Sequence, residues 1–185
     1  MTVAEEKADE RALAFKRRAK ADPSVVDAAN AHLNVAIRAS TGHIVSGYWP
    51  IRTEIDPRPT MTALSESHAW CLPVVVGQGL PLAFRRWTPG AEMVDGAFGT
   101  SWPASEEAVV PDILVVPMAA FDMRGYRLGY GGGFYDRTLE ALRARGQVAA
   151  IGFAYSIQET TQVPTEPTDQ TLDLIVTELG IAPVR

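Results

Sequence analysis

The chain has 185 residues, 46% hydrophobic and 21% charged, enough apolar material for one domain with a well-developed core. A formal net charge of -5, with pI near 5.2, excludes an extended basic surface for nucleic acid, and no basic stripe with interleaved aromatics occurs. No apolar run reaches membrane-spanning length, the N-terminus is charged and lacks a signal-like apolar core, and the lone Cys71 cannot form an internal disulfide. We therefore expect a soluble, cytoplasmic monomer with small-molecule partners, and Cys71 as a buried core thiol.

In chain order, residues 4 to 20 have a helical composition, with Leu13 and Phe15 among many charges, and Asp22-Pro23 interrupts it. Ser24 is a candidate N-cap for a second helix to about Ala39, with Val25, Val26, Ala29, Leu33 and Ile37 on one side. Gly42 then punctuates the chain, and His43 to Trp49 reads as the first strand. A short helix through Met61 and Leu64 leads to a strand at Cys71 to Val76, and Leu82 to Trp87 reads as a hairpin-like or edge strand. Residues 88 to 111, rich in Pro, Gly, Ser and acids, form a surface excursion rather than a linker. Strands follow at Ile113 to Val116, Val148 to Phe153 and Leu172 to Thr177, with a helix to about Arg145 between the first two. Helices alternating with apolar strands predict a single-domain three-layer α/β/α sandwich over residues 1–185, with a mostly parallel, Rossmann-like central sheet.

The most informative stretch runs from Asp112 to Arg137. A continuous apolar strand core, Ile113 to Val116, ends at Pro117, and the chain then spends Gly125, Gly129, Gly131, Gly132 and Gly133 before Phe134-Tyr135-Asp136-Arg137 opens an amphipathic helix. Glycine lets backbone N–H groups approach an anion, and the helix N-terminus adds unpaired N–H groups and the positive end of its dipole. The loop lacks the Lys-Ser/Thr ending of a P-loop and the Rossmann glycine spacing. Arg127 enters it, and Asp136 with Arg137 leave it.

The pattern Val116-Pro117-x-x-Ala120-Phe121-Asp122-x-x-Gly125-x-Arg127-Leu128-Gly129-Tyr130-Gly131-Gly132-Gly133-Phe134-Tyr135-Asp136-Arg137 closely resembles the signature of the 5-formyltetrahydrofolate cyclo-ligase family. Phe134 stands where the family often has Tyr. Three other segments share the likeness. Tyr48-Trp49-Pro50-Ile51-Arg52-Thr53-Glu54-Ile55-Asp56 resembles a strand-end segment that lines the folate site. There the resemblance implies Glu54 as the carboxylate for the pterin N–H donors and Trp49 as an apolar wall. Lys7 and Arg11, four residues apart, match a Lys-x-x-Leu-Arg motif whose cations contact ATP phosphates, although Glu10 replaces the apolar residue and Lys16, Arg17 and Arg18 offer another register. Near the C-terminus, Asp169 matches an aspartate that joins Asp136 in holding Mg²⁺, with Thr168 where His is common and Asp173 as a rival. Asp122 sits beside the corner as a further polar neighbour or a turn former.

The resemblance implies an enzyme that cyclises 5-formyltetrahydrofolate to 5,10-methenyltetrahydrofolate, consuming ATP with Mg²⁺ and releasing ADP and phosphate. Arg127 and Tyr135 are its expected catalytic residues. The ATP site would draw on Lys7, Arg11, Arg127, Leu128, Gly129, Tyr130, Gly131, Gly132, Gly133, Phe134 and Tyr135. The folate site would use Trp49, Glu54 and residues 130 to 134, and the metal would sit on Asp136 and Asp169. A folate- or nucleotide-binding paralogue without catalysis, or an ATP-dependent ligase for another formyl or carboxyl substrate, remain open alternatives. His32, His43 and His68 have no catalytic or zinc-like spacing.

Overall fold

The computed structural model describes residues 2–96 and 99–184. Its helices are α1 (Val3–Arg18), α2 (Val26–Ala39), α3 (Arg58–Ala63) and α4 (Phe134–Arg143). Its strands are β1 (Ile44–Ser46), β2 (Ala69–Val74), β3 (Ala83–Trp87), β4 (Met93–Asp95), β5 (Ser101–Pro103), β6 (Ile113–Pro117), β7 (Ala120–Phe121), β8 (Arg127–Leu128), β9 (Ala149–Phe153), β10 (Leu174–Thr177) and β11 (Gly180–Pro183). Seven of these form one sheet in the order β11-β10-β9-β6-β1-β2-β3. The five inner strands run parallel, and the two edges, β3 and β11, pair antiparallel.

The layers follow from side-chain alternation. Val45, Ile113, Val115, Ile151, Phe153 and Val176 face one side, where Ala29, Leu33 and Ile37 of α2 and Met61 of α3 cover them. Cys71, Leu114, Val116, Ala150 and Ile175 face the other, under Leu139 of α4. A sheet covered on both faces needs apolar residues at consecutive positions, which is why β6 carries Ile-Leu-Val-Val without a polar break. The expected three-layer α/β sandwich is therefore present.

Several local expectations change. Ser24 is not the cap of α2: Asp22 accepts the Ser24 N–H at 2.9 Å and caps a 3-10 turn at Pro23–Val25 that leads into the helix. Helix α1 starts from a reciprocal box, with Thr2 N–H donating to Glu5 Oε2 at 2.7 Å and Glu5 N–H to Thr2 Oγ1 at 3.3 Å. The first strand shrinks to three residues. The excursion at 88 to 111 contains the β4–β5 hairpin and then returns along β3, where Arg86 N–H donates to Glu107 O at 2.8 Å. Ala97 and Phe98 of that excursion lie outside the described residues.

Asn30 of α2 ties the segment after β1 to the body. Its amide donates to Val26 O and Asp56 O, and its oxygen accepts from Thr60 N and Thr60 Oγ1, all between 2.8 and 3.2 Å. Asn30 is 6% exposed and Thr60 2%, so truncation leaves buried groups unpaired. Asn30→Ala should lower stability by about 1–3 kcal/mol in urea unfolding; a loss below about 0.5 kcal/mol would show that the 56–60 segment is held by packing alone.

Candidate active site

Strand order reverses between β1 and β6, and segments leaving the C-terminal ends of both strands meet there, the position where open α/β sheets form ligand crevices. After β1 comes the turn Trp49–Glu54; after β6 come β7, β8 and the glycine-rich loop. Helix α1 lies across both. Its residues Lys7, Arg11, Ala14 and Arg18 fall at i, i+4, i+7 and i+11, one helical face, and Ala14 and Arg18 are its buried residues. Leu13 points outward, 53% exposed, so this helix docks through cations rather than an apolar stripe.

Each cation meets a different part of the corner. Lys7 Nζ bonds Asp169 at 2.7 and 2.9 Å and Glu166 at 2.8 Å. Burial disfavours its charge, but those carboxylates outweigh burial and hold the ammonium above the ordinary lysine value. Arg11 Nε donates to Gly129 O at 2.8 Å, and its guanidinium faces Gly131 closely enough that a Cβ there would sit 3.3 Å from Arg11 Cζ. Arg127, its side chain 5% exposed, pairs with Asp136 Oδ1 at 2.9 Å and donates to Gln170 O. Gln170 N–H also donates to Asp136 Oδ1 at 2.9 Å, which places Asp136 beside the segment carrying Asp169.

The loop has the backbone its sequence implies. Gly131 (φ 97°) and Gly133 (φ 64°) both occupy the left-handed region, and Gly133 is the residue from which α4 starts. No side chain caps that helix start, so its first N–H groups are free to face an anion. Gly132 and the half-exposed Tyr130 lie at the surface of the loop. Leu128 is a structural member: its side chain is buried with Ala14, Ala119, Ala120 and Val163, and its carbonyl accepts Ala119 N–H at 2.6 Å. Phe134 is half-buried under the Arg137 guanidinium, 5.4 Å from the ring centroid.

On the β1 side, Trp49 packs on the core with Arg58 stacked 4.7 Å over its ring, and Arg58 is fixed by Asp56 at 2.7 Å. Glu54 Oε2 accepts Ile51 N–H at 2.9 Å, closing a tight turn in which Arg52 is the only non-glycine residue with positive φ, 54°, among the described residues. Burial pushes the Glu54 carboxyl up to about 7, against the opposing pull of Ile51 N–H, Arg18, Tyr130 and Arg52. Burial, and then the Glu54 charge, raise the phenols of Tyr48, Tyr130 and Tyr135 above the ordinary tyrosine value. Tyr135 packs on the core cluster beneath α4, and the Arg127 charge partly offsets the rise of its phenol.

Lys7, Arg11, Arg127, Tyr130, Asp136, Asp169 and Glu54 thus lie on segments that meet beyond the C-terminal ends of β1 and β6, whereas the two rivals do not join them. Asp173 belongs elsewhere: it accepts Ala150 N–H at 2.7 Å and pairs with Arg143 at the starts of β9 and β10. Asp122 is a buried turn former, bonding Arg124, Tyr126 N–H and Val163 N–H. Cys71 is buried, and burial pushes its thiol up to about 12, so it holds no thiolate. Sequence reasoning offered Arg18 only within an alternative register of the N-terminal motif, and gave Arg52 and Tyr48 no role. Arg18 had a signal, seven residues beyond Arg11 and so on the same helical face; Arg52 and Tyr48 had none beyond proximity to Glu54.

Fold and site together define an α/β protein with a glycine-rich corner at a helix start next to a half-buried carboxylate. The model of the 5-formyltetrahydrofolate cyclo-ligase family matches residues 4–178, and the chain belongs to that family. A 5-formyltetrahydrofolate cyclo-ligase of Mycolicibacterium smegmatis is 33% identical over 156 residues, covering 78% of this chain and 79% of that protein. One from Haemophilus influenzae is 41% identical over 101 residues, a match spanning about half of each, 51% of this chain and 54% of the relative. The solution structure of Aquifex aeolicus 5,10-methenyltetrahydrofolate synthetase superposes with a TM-score of 0.80 at 29% identity, over 97% of this chain and 93% of that one.

The raised Glu54 value has a consequence for stability. A carboxyl at about 7 in the fold against 4.5 ordinarily favours folding fully below about 4.5 and loses that contribution as pH rises through 7. Glu54→Gln cannot ionise, so between pH 4 and pH 8 it should gain on the order of 1–3 kcal/mol relative to the native chain. Urea unfolding at both pH values measures this, and parallel stability–pH curves would contradict it.

Proposed function

We propose that this protein is an ATP- and Mg²⁺-dependent 5-formyltetrahydrofolate cyclo-ligase, forming 5,10-methenyltetrahydrofolate, ADP and phosphate. The observation that carries the reading is the meeting of two unlike half-sites. A glycine-rich corner with cations lies on one side and the half-buried Glu54 carboxylate on the other, and Arg18 bonds both Thr53 of the Glu54 turn and Tyr130 of the corner. In this reading residues 1–185 act as one cytoplasmic domain, monomeric, with ATP and the folate as partners; among the described residues no helix is long and apolar enough to cross a membrane.

The chemical obstacle is a formamide carbon that is a poor electrophile with a poor leaving group. The formyl oxygen attacks the γ-phosphorus, ADP departs, and the resulting iminium-like phosphate ester is attacked at carbon by the second folate nitrogen. That attack closes the ring; the attacking nitrogen gives up its proton to solvent, and phosphate leaves with the former formyl oxygen. The protein contributes position and charge rather than a covalent intermediate. Glu54 accepts from the pterin N–H donors and fixes the formyl group toward the corner; its burial makes that hydrogen bond dry and directional. Trp49 supplies the apolar wall. The free N–H groups at the start of α4, with residues 129 to 133, Lys7, Arg11 and Arg127, receive the triphosphate. Tyr135, protonated at any working pH, offers a donor between the two substrates.

Asp136 and Asp169 are the residues that would hold Mg²⁺. They fit it: both present hard oxygen donors, Gln170 binds Asp136 one residue from Asp169, and a metal shared with phosphates needs only one or two carboxylates. When bound, Mg²⁺ would neutralise charge on the phosphate oxygens.

The test is growth of the near-ultraviolet methenyltetrahydrofolate chromophore from 5-formyltetrahydrofolate, Mg²⁺ and ATP, against an ATP-free control. Glu54→Gln should raise KM for the folate about tenfold or more and leave ATP binding within about twofold, because only the folate half-site loses its acceptor charge. Saturable binding of both ligands without the chromophore would instead mark a binding paralogue, and equal loss of both affinities in Glu54→Gln would remove its assigned role.

A further inference from the structure

Arg18 is 2% exposed, among the largest fully buried side chains of the protein, and makes no ion pair among the described residues. A guanidinium that leaves water without a carboxylate is costly unless its donors are satisfied. Here they are used on three separate segments. Nε donates to Thr53 Oγ1 at 3.0 Å, Nη1 to Met118 O at 3.1 Å and Nη2 to the Tyr130 hydroxyl at 2.7 Å. Two neighbouring aromatic rings lie beside it, with Cζ 5.2 Å from Phe15 and 5.6 Å from Tyr130 and the ring centroids 5.1 Å apart. Met118 O also accepts from Gln158 Nε2 at 2.7 Å, so the segments beyond β1, β6 and β9 are joined at this one group.

Two of those partners belong to opposite halves of the site. Thr53 precedes Glu54 in the tight turn, and Tyr130 is the exposed aromatic of the glycine-rich loop. We infer that Arg18 is a positioning residue of the folate site: a single guanidinium holds the Thr53–Glu54 turn against Tyr130 and sets the width of the gap into which the pterin fits. The assignment rests on the cyclo-ligase reading of that gap. Only the planar fork of arginine reaches three acceptors in three directions; a lysine ammonium at the end of a shorter stem would satisfy one of them fully.

The charge of Arg18 acts on the same carboxylate. The groups facing Glu54 are Arg18 from α1, Arg52 from its own turn, Tyr48 from the end of β1, Tyr130 from the loop and Tyr135 from α4. The tyrosines are neutral at working pH, and the two arginines oppose the burial that raises Glu54. Arg18 is buried and Arg52 exposed, so water screens Arg52 more. An ionised Glu54 accepts from pterin N–H groups; a protonated one offers a poorer acceptor. Removing the Arg18 charge therefore moves the pH above which folate binds well toward alkaline values.

The experiment is 5-formyltetrahydrofolate binding and steady-state kinetics from pH 5.5 to 9 for the native protein, Arg18→Gln, Arg18→Lys and Arg52→Gln. Arg18→Lys should raise folate KM about tenfold or more with kcat less affected, and keep the native pH inflection because the charge remains. Arg18→Gln should show the same KM increase and an inflection moved upward by about one pH unit or more, further than in Arg52→Gln. A folded Arg18→Lys with native folate KM overturns the assignment, whether or not Arg18→Gln folds. So does a uniform loss in Arg18→Gln with no movement of the inflection, which is what a purely structural role predicts. A native protein that binds no 5-formyltetrahydrofolate overturns the function and the assignment together, whereas native binding with indifferent Arg18 variants overturns the assignment alone.

Discussion

Helix α1 is held by hydrogen bonds from cations, and the geometry of the crevice depends on that choice. Lys7 reaches the 166–169 segment, Arg11 the carbonyl of Gly129, and Arg18 the turn after β1, the segment after β6 and the hydroxyl of Tyr130. An apolar stripe would also have docked a helix here, with less desolvation cost, but oily contacts are non-directional and tolerate sliding. Hydrogen bonds at 2.7 to 3.1 Å do not. A helix without a strong apolar face thus becomes the part that registers three loops against one another, and the small cluster of Ala14, Ala119, Ala120, Leu128 and Val163 beneath it is made of side chains short enough to let it approach.

The same economy of position against stability appears around Glu54. Its carboxyl is buried enough to be raised to about 7, and the turn that presents it keeps Arg52 in a left-handed conformation costly for a residue with a Cβ. At neutral pH neither feature helps the fold. Both are compensated by neighbours that do: Asn30 with Thr60 behind the turn, Arg58 stacked between Asp56 and Trp49, and the parallel strands underneath. Unfavourable local states gathered on one rim and supported by a regular scaffold are the physical mark of a site rather than of packing.

What the sequence conveyed depended on whether the signal was local. The buried strands were legible because a sheet covered on both faces needs unbroken apolar runs, as at Ile113 to Val116, and the glycine corner because positive φ at Gly131 and Gly133 restricts residue choice. The short pieces were not. The two-residue β7 and β8, the β4–β5 hairpin and the edge strand β11 at Gly180–Pro183 are too brief for alternation to show, and they exist because a partner strand is already in place. The cap of α2 was misassigned to Ser24 because Asp22, Pro23 and Ser24 all carry start signals, and Pro23 at the first position of a 3-10 turn gives the cap to Asp22. Family likeness brought Lys7, Glu54, Asp136 and Asp169 to one place in expectation, but their actual partners were invisible to it: a motif names residues and leaves out which neighbour satisfies each charge.

Those partners bear on how the proposed substrates would enter. Asp169 is bonded by Lys7 and Asp136 by Arg127, so each carboxylate assigned to Mg²⁺ already carries a cation assigned to phosphate. In the proposed reading, Lys7 and Arg127 would trade these aspartates for phosphate oxygens, leaving the aspartates to hold the metal. Such an exchange costs far less than desolvating free ions, because each group leaves one ionic partner for another. Lys7 lies toward the N-terminal end of α1, while Arg18, eleven residues on, makes its three hydrogen bonds at the other end. One helix thereby contacts both half-sites of the proposed reading, through ion pairs at one end and directional hydrogen bonds at the other.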